Sequence, residues 1–583
     1  MTKKDLVPVI ILALLIPLWM LFDRTFLAPK FPAKPRITAP QSTNATAFAE
    51  SAATDPQSPA AAESATAPAA IEVEAPAEEE VVATLDNGKV KLELTSLGGG
   101  IKSATLLNYP ALNEKDSPPV VIEFPRAALA YEGLAGIGAN EALALQPAED
   151  GQSVTLSKEL ASGIVFQRTL SFTNDYVLQV SDRFTNPGSG PTALAERRIV
   201  TGRMENPAEM KAMKGVSILG VDSFTPAGGI EYWGRKLQKL YGKNGPLAID
   251  IVPPEMNGIE VDWVSAKNKF FVQILRPEGT AATMAILSAR DAEEKKTVPK
   301  DIAAALAFQE QVIGAGETAE LNYTYFIGPK QYSILKASGH NAEKVMEFET
   351  TGAFSFMNWL MEPARRFLLW TLNKFFAVIP NYGVAIILLT LLIRILFWPL
   401  THKSTESMKR MQELQPEIKA LQEKYKKEPQ KAQQEVMKLY KEKKVNPMGG
   451  CLPMFVQIPV FIALFTVLRN AIELRYSGFL WIADLSQPEN LFAGSVPFVG
   501  SLNILPLLMS VSMIWQQKLS TPGTAATPEQ QQQQKMMMFM MPIMMLFFFY
   551  SMPSGLVLYW TTSNLLMIAQ TGFRNLKKKK VEA

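Results

Sequence analysis

Arg394 is the single charged residue in the apolar run that covers residues 383–400. It lies about six residues before the end of the run, or roughly 9 Å inside at 1.5 Å per residue. A charge near the centre of a membrane helix costs about 2.5–3.5 kcal/mol, and the other apolar runs of the C-terminal half contain no acidic residue to offset it. The sequence therefore predicts a water-filled cavity around this arginine. A long side chain that reaches out to the membrane interface is the alternative.

Three neutral polar residues in the apolar runs could line such a cavity. Thr390 precedes Arg394 by four residues, on the same helix face, and Gln457 and Asn503 lie in later runs. Seven of the ten residues at 536–545 are methionine, a flexible side chain that suits surfaces accepting varied apolar partners. Ordinary packing against lipid is the other explanation for the methionines.

Covalent, metal and nucleotide chemistry have little support in the composition. The chain has one cysteine, Cys451, and two histidines, His340 and His402, which excludes an internal disulfide and argues against a His/Cys metal centre. The glycines at 98–100 lack the Lys-Ser/Thr of a phosphate-binding loop. A net charge of +3 gives no reason to expect nucleic-acid binding. We expect neither a metal nor a cofactor.

Six apolar segments are long enough to cross a hydrocarbon core of about 30 Å, which takes about 20 residues. We expect the first to be an uncleaved signal anchor, because no convincing small-x-small cleavage site follows it; a cleaved signal peptide is the alternative. The predicted spans cover about residues 6–22, 379–400, 448–468, 496–515, 536–552 and 556–573.

The basic residues set the orientation of these spans. Lys3 and Lys4 precede the first span, twelve Lys and Arg fill residues 401–446, and Lys577–Lys580 follow the last span. Basic segments stay in the cytoplasm, and six spans put all three on that side. We expect a multi-pass protein of the bacterial inner membrane with both termini cytoplasmic and a large domain outside.

That large domain has the pattern of an all-β sandwich. Apolar and polar residues alternate at 90–95, 164–170 and 323–327, and turn residues such as those at 86–88 and 186–188 separate the runs. We expect a binding or structural role, since no pair of acidic residues is singled out as catalytic.

The regions outside the spans complete the organisation. Residues 346–374 suit an amphipathic helix at the membrane interface, or one packed on the β domain. Residues 401–446 suit a basic helical hairpin whose charged face could lie on anionic lipid. The expected segments are an anchor at 1–29, a disordered linker at 30–84, the β domain at 85–345, the interfacial helix at 346–374, the second span at 375–400, the hairpin at 401–446, spans three to six at 447–573 and a basic tail at 574–583.

Two motifs resemble those of the YidC/Oxa/Alb family of membrane protein insertases. They are NPMGGCLPMFVQIPVFIAL at 446–464 and PSGLVLYWTTSN at 553–564. With Arg394 and the basic hairpin, they cover the C-terminal third in the family's order. The large β domain after a first anchor resembles the Gram-negative form, in which this domain is a β-supersandwich.

The resemblance implies a core of five helices around a hydrophilic groove that is open to the cytoplasm and to lipid. Arg394, Thr390 and Gln457 match groove positions. An apolar slide for the arriving client helix is implied at Phe461, Met509, Phe548 and Trp560; some relatives have Tyr at the last position.

The resemblance also implies the function and the partners. The chain would insert nascent membrane proteins and help them fold, alone or with the Sec translocon, without covalent chemistry and without a cofactor. Ribosome binding would involve the hairpin and Lys577–Lys580. A secondary transporter, which predicts internal repeats, and a membrane-anchored periplasmic carbohydrate-active protein are the alternatives.

Overall fold

The computed structural model describes residues 79–205, 219–234, 248–289, 299–348, 357–426, 428–443, 445, 452–496, 500–520 and 528–582. All of these belong to one compact unit. The predicted anchor at 6–22, and the predicted linker except for its last residues, lie outside the described residues.

The β domain is built from antiparallel strands, numbered here in chain order. They are β1 Val82–Asp86, β2 Val90–Thr95, β3 Gly100–Pro110, β4 Pro119–Ala128, β5 Tyr131–Glu132, β6 Ala144–Pro147, β7 Ser153–Glu159, β8 Val165–Asn174, β9 Val177–Thr185, β10 Thr192–Leu194, β11 Arg197–Val200, β12 Met204–Glu205, β13 Gly220–Thr225, β14 Gly229–Tyr232, β15 Ala248–Ile251, β16 Trp263–Lys267, β17 Phe271–Glu278, β18 Thr283–Ala289, β19 Asp301–Phe308, β20 Gln311–Ile313 and β21 Thr318–Pro329. Two more strands, β22 Leu491–Val496 and β23 Gly500–Leu502, form a hairpin between two of the later helices.

Three sheets make up the β domain. The largest has nine strands in the order β14-β13-β16-β17-β21-β9-β8-β7-β6, and the second has the order β15-β18-β19-β11-β5, with β12 also paired to β19. Strands β1 to β4 form the third sheet, and β10 pairs with β20. Strand β19 contacts β13, β16 and β17, so the two larger sheets pack against each other over a common core.

The core of this sandwich follows from alternation along the strands. In β9, residues Leu178, Val180, Asp182 and Phe184 are buried while their neighbours are not. Asp182 lies directly opposite Arg168 of β8, and their side chains form an ion pair with a distance of 2.7 Å between the guanidinium and the carboxylate. This buried pair is satisfied by further hydrogen bonds from Arg168 to backbone carbonyls. A charge can lie in the core because every group around it is bonded.

The glycines at 98–100 serve backbone geometry. Gly98 and Gly99 have φ angles of +68° and +59°, in the left-handed region that only glycine enters at no steric cost. A Cβ on Gly100 would lie 2.1 Å from the carbonyl oxygen of Ala128. The run of three glycines is therefore required by the tight entry into β3.

The helices are likewise numbered in chain order. They are α1 Tyr332–Ser338, α2 Asn358–Val378, α3 Tyr382–Leu396, α4 Trp398–Glu413, α5 Gln415–Lys424, α6 Pro429–Glu442, α7 Leu452–Asn470, α8 Ile504–Ser520, α9 Pro528–Phe549 and α10 Ser554–Glu582. Short 3-10 helices lie at Pro254–Met256, Ala342–Met346 and Ile472–Leu474.

The helical core consists of α2, α3, α7, α8, α9 and α10. Helix α10 contacts α3, α7 and α8; α2 packs on α3 and α7; and α9 packs on α8. Helices α4 to α6 form a separate hairpin whose small core contains Leu414, Ile418 and Leu439. In the part of the chain that the structure describes, no helix has both the length and the apolar character needed to cross a membrane.

The segment predicted as the span at 496–515 begins differently. Leu491–Val496 and Gly500–Leu502 are the paired strands β22 and β23, and the helix starts only at Ile504. The start of α8 is fixed by polar side chains: Glu489 accepts a hydrogen bond from the Leu505 N–H at 2.8 Å, and Asn503 accepts one from the Asn490 N–H at 2.8 Å. The bond to Glu489 satisfies a backbone donor that a helix start leaves free, and the bond to Asn503 joins residue 490 to the residue just before the helix.

Helix α2, in the region predicted to lie at the interface, has two distinct faces. Met361, Leu368 and Leu372 are buried, while Trp359 and Trp370 are exposed. The buried Arg365 donates to the carbonyl of Phe348 at the end of the β domain. The helix thus packs on the molecule with one face and leaves an aromatic face uncovered.

Candidate functional site

Arg394 lies in the last turn of α3 and is bonded to α10. Its Nη2 donates to the backbone oxygen of Ser563 at 2.9 Å and to the Ser563 Oγ at 2.6 Å. Ser563 is buried, and Arg394 is partly buried. The structure gives Arg394 a neutral protein partner, Ser563, which the sequence did not lead us to expect.

The remainder of the Arg394 guanidinium is open. Among the described residues, its Nε and Nη1 make no hydrogen bond and no carboxylate pairs with it. A guanidinium has five N–H donors in a fixed planar fork. Three of the five are therefore available to an incoming polar or acidic group.

Thr390 lies one turn before Arg394, as the spacing predicts, but its hydroxyl is turned to its own helix. Its Oγ1 donates to the carbonyl of Ile386 at 2.7 Å, and the residue is 1% exposed. The oxygen retains a lone pair but has no hydrogen left to donate. The hydroxyl of Thr390 is thus hydrogen-bonded within α3.

Gln457 of α7 contacts α10, the helix to which Arg394 is also bonded. Its Nε2 donates to the hydroxyl of Tyr559 on α10 at 2.9 Å. Tyr559 lies one turn before Ser563, the residue to which Arg394 is bonded. The structure therefore brings Gln457 and Arg394 to one region of α10, through Tyr559.

Helix α10 makes polar contacts with three different helices within two turns. Tyr559 binds Gln457 of α7, Ser563 binds Arg394 of α3, and the Asn564 Nδ2 donates to the Ser512 Oγ of α8 at 3.1 Å. The sequence interpretation missed Tyr559 and Ser563. The available signal was the polar residues at 559 and 561–564, which interrupt the apolar first half of the helix.

An aromatic cluster lies beside this polar region. The rings of Phe461 and Trp560 meet edge to face at 5.0 Å, and Trp560 also lies 5.3 Å from Phe549. Phe548 packs on Phe549 at 5.4 Å and is 52% exposed. Three of the four residues expected on the apolar slide are thus joined, with Phe549 as the link. Edge-to-face pairs of this kind add stability beyond the area they bury.

Met509, the fourth expected slide residue, is buried in the hydrophobic core that also contains Phe549. Its side chain on α8 is 0% exposed, and the Ser512 Oγ donates to its backbone carbonyl. Asn503, the other polar residue considered for the cavity, is bonded to the carbonyl of Tyr550 at 2.6 Å. Neither side chain is joined to the Arg394 region by a hydrogen bond of its own.

Residues 471–490 contact the starts of two helices of the helical core, α3 and α10. Asn381 at the start of α3 donates to the carbonyl of Gly478, and the backbone N–H of Ser554 at the start of α10 donates to that of Gln487 at 2.8 Å. Gly383 contacts Phe479 so closely that a Cβ there would lie 2.1 Å from the ring. The starts of α3 and α10 are therefore held by one segment.

The same segment docks onto the β domain. Lys269 donates to the carbonyl of Ser486 at 2.6 Å. The Arg475 guanidinium lies over the rings of Phe270 and Phe271 and donates to the carbonyl of Pro110 at 2.9 Å. Cation–π contacts of this type are strongest where water is excluded.

A charged cluster lies in the β domain. Lys267 pairs with Asp222 at 2.6 Å and with Glu347 at 2.9 Å. Burial raises the pKa of Asp222 to about 6, against the attraction of Lys267. Burial, reinforced by repulsion from Lys267, lowers the pKa of Lys330 to about 7. Desolvation outweighs pairing at both groups.

Metal binding finds no support in the described part of the chain, where no three His, Cys, Asp or Glu side chains come together.

Comparison with known proteins gives the family. A family described as "60Kd inner membrane protein" matches residues 374–581, and one described as "YidC periplasmic domain" matches residues 82–364. The chain is 31% identical to the membrane protein insertase YidC of Syntrophus aciditrophicus, over 85% of each chain. It is 30% identical to that of Chlorobaculum parvum, over 99% of this chain and 94% of the relative.

Among solved structures, a YidC insertase crystal structure with its first transmembrane domain resolved covers 85% of this chain and 93% of its own, at 19% identity and a TM-score of 0.33. From its two domain matches and these full-length relatives, the chain belongs to the YidC family of membrane protein insertases.

Proposed function

We propose that this chain inserts client membrane proteins through a polar groove that contains Arg394, Gln457 and Tyr559. One observation carries the proposal: Arg394 emerges from an apolar helix, is bonded only at Nη2 among the described residues, and has its other nitrogens unpaired. An arginine in an apolar helix is costly, so it is a candidate for function.

The proposed mechanism lowers the cost of moving a polar segment across lipid. Burying an unpaired polar group costs several kcal/mol in an apolar medium. Arg394 offers charge-assisted hydrogen bonds to acidic or polar residues of the client during this transfer. The client's apolar helix then enters lipid, where burial at about 25 cal/mol per Å² drives the step. Neither nucleotide nor covalent intermediate is involved.

Phe461, Phe548 and Trp560 form the proposed apolar slide. Their support is the continuous aromatic cluster on α7, α9 and α10, one member of which is half exposed. Met509 is left out of the proposed slide, because its side chain is fully buried in this conformation. It takes part in the slide only if α8 moves.

The proposed topology has six spans in the inner membrane, with both termini and the α4–α6 hairpin in the cytoplasm and the β domain in the periplasm. The basic residues of the hairpin and of the tail support this orientation. The segment boundaries proposed from the sequence are kept with three changes: the β domain begins with β1 at Val82, the interfacial helix extends to Val378, and the fourth span begins at Ile504.

Nascent membrane proteins are the proposed clients. The Sec translocon, the ribosome and anionic lipid are further proposed partners. Support for the last two is the basic character of residues 401–446 and of Lys577–Lys580.

The test replaces Arg394 in cells depleted of their own insertase. Insertion of a single-span client with an acidic exported tail is followed by protease accessibility. We expect Arg394→Ala to abolish most insertion and Arg394→Lys to retain much of it, because a lysine keeps the charge. Arg183→Ala, at an exposed arginine of the β domain, is the matched control and should behave as wild type.

Full insertion of this client by Arg394→Ala would refute the charge role. The groove itself is tested by photo-crosslinking from residue 461 to the nascent client, with a crosslinker at Lys115 on the surface of the β domain as the negative position. Equal crosslinking from both positions contradicts the proposed path.

A further inference from the structure

Ser563 accepts hydrogen bonds from Nη2 of Arg394. This nitrogen is shared by the two edges through which a guanidinium can bind a carboxylate. A guanidinium pairs with a carboxylate through two parallel N–H groups, either Nε with Nη2 or Nη1 with Nη2. Nη2 belongs to both edges. In this structure Nη2 faces two acceptors of Ser563, the backbone oxygen at 2.9 Å and Oγ at 2.6 Å.

The consequence is a limit on how a client can bind. Because Nη2 is engaged by two acceptors of Ser563, only Nε–H and the two hydrogens of Nη1 are free of competition from Ser563. Each of these N–H groups can donate one hydrogen bond to a carboxylate oxygen, but each edge also needs Nη2, which Ser563 already engages. An acidic client residue therefore meets a full positive charge and only single hydrogen bonds.

Ser563 is held in this position by its helix. It is 6% exposed, and its neighbours Tyr559 and Asn564 tie α10 to α7 and α8. The backbone oxygen belongs to the helix and cannot turn away. The hydroxyl is the one of the two acceptors that can be removed, since a substitution at 563 deletes it without altering the backbone.

We propose that Ser563 is a specificity-determining residue that prevents Arg394 from pairing bidentately with acidic client segments. This rests on the proposed function. A bidentate pair is stronger and more directional than a single charge-assisted bond, and a client must leave the groove to finish insertion. Ser563 keeps the attraction of Arg394 while keeping the contact short-lived.

The experiment measures how long a client stays at the groove. Two single-span clients are used that differ only by Asp or Asn at one position of the exported segment. A photo-crosslinker at residue 461 of the full-length protein reports the complex at successive times after synthesis is stopped. In Ser563→Ala one edge of Arg394 becomes complete, so the Asp client should persist about fivefold longer, as expected for one additional hydrogen bond. The Asn client should be unchanged.

Two variants, one at Ser563 and one at the adjacent Asn564, serve as controls. Ser563→Thr keeps the hydroxyl and should match wild type. Asn564→Ala removes a hydrogen bond between α10 and α8 without touching Arg394, and should not distinguish the two clients. A purely structural role of Ser563 predicts the opposite pattern, in which Ser563→Ala and Asn564→Ala affect both clients alike.

The decisive variant is Arg394→Lys combined with Ser563→Ala. A lysine is a point charge without a two-nitrogen edge, so removing the hydroxyl in this background should leave the lifetime of the Asp client unchanged. A longer lifetime in the lysine background overturns the proposal, as does an equal change for Asp and Asn clients. Loss of crosslinking at residue 461 in the wild type would instead refute the proposed function.

Discussion

Raising the pH from 7 to 9 should stabilise the β domain by about 2 kcal/mol through Lys330. This side chain is 1% exposed, and burial together with Lys267 lowers its pKa from 10.5 to about 7. At a pH between these two pKa values, Lys330 is protonated in the unfolded chain and deprotonated in the folded domain. Folding is therefore opposed by protonation at pH 7, and stability rises as the pH increases.

The size of the effect follows from the two pKa values. Their full difference corresponds to about 5 kcal/mol, at about 1.4 kcal/mol for each pH unit. Only the part between pH 7 and pH 9 is sampled, and Lys330 is already half deprotonated at pH 7, which leaves about 2 kcal/mol. Asp222 contributes little in this window, since its pKa of about 6 lies below it.

Urea unfolding of the full-length protein in detergent measures this. Incorporated 5-fluorotryptophan gives a fluorine signal for Trp263, which is buried in β16 and bonded to the carbonyl of His340. We expect Lys330→Met to be more stable than wild type at pH 7 and to lose the rise towards pH 9. The exposed Lys115→Met is the matched control. An undiminished rise in Lys330→Met would refute the reasoning.

Two further substitutions test the buried pair and the docked segment. Asp182→Asn leaves the fully buried Arg168 charge uncompensated, so the β domain should lose about 3–5 kcal/mol in the same urea assay; a loss below 1 kcal/mol contradicts this. Arg475→Ala removes the contacts with Phe270, Phe271 and Pro110. Hydrogen exchange should then speed up at residues 109–113 and 475–487 while the core of the β domain stays protected, and uniform protection throughout would show that Arg475 does not hold the segment.

Local patterns in the sequence predicted much of the β domain correctly. The alternating runs at 90–95, 164–170 and 323–327 are confirmed as β2, β8 and part of β21. The turns at 86–88 and 186–188 are confirmed too, with Asp86 and Asn186 each accepting a bond from the backbone N–H two residues on. Alternation and turn chemistry depend on near neighbours, which is why a single sequence reveals them.

The partners of the groove residues could not be predicted in this way. Ser563 lies 169 residues after Arg394, and Tyr559 lies 102 residues after Gln457. The sequence analysis looked for an opposite charge and found none, so it expected water. A neutral serine that offers two acceptors carries no signal of its own until the fold brings α3 and α10 together.

The misplaced start of the fourth span has a similar cause. Residues 491–502 are largely apolar, with Phe492 70% exposed, and hydropathy alone extends the span into them. The helix begins at Ile504, where Glu489 accepts from the Leu505 N–H and Asn503 holds residue 490 against the helix start. Such caps depend on a chain reversal that hydropathy does not register.

The order of the helices, with α10 after α3, α7 and α8, has a consequence for the biogenesis of the protein itself. Its Tyr559, Ser563 and Asn564 complete hydrogen bonds for Gln457, Arg394 and Ser512, which are all synthesised earlier. Until α10 leaves the ribosome, three helices carry polar groups without their final partners. During that interval these helices bear the cost of unpaired polar groups in an apolar medium.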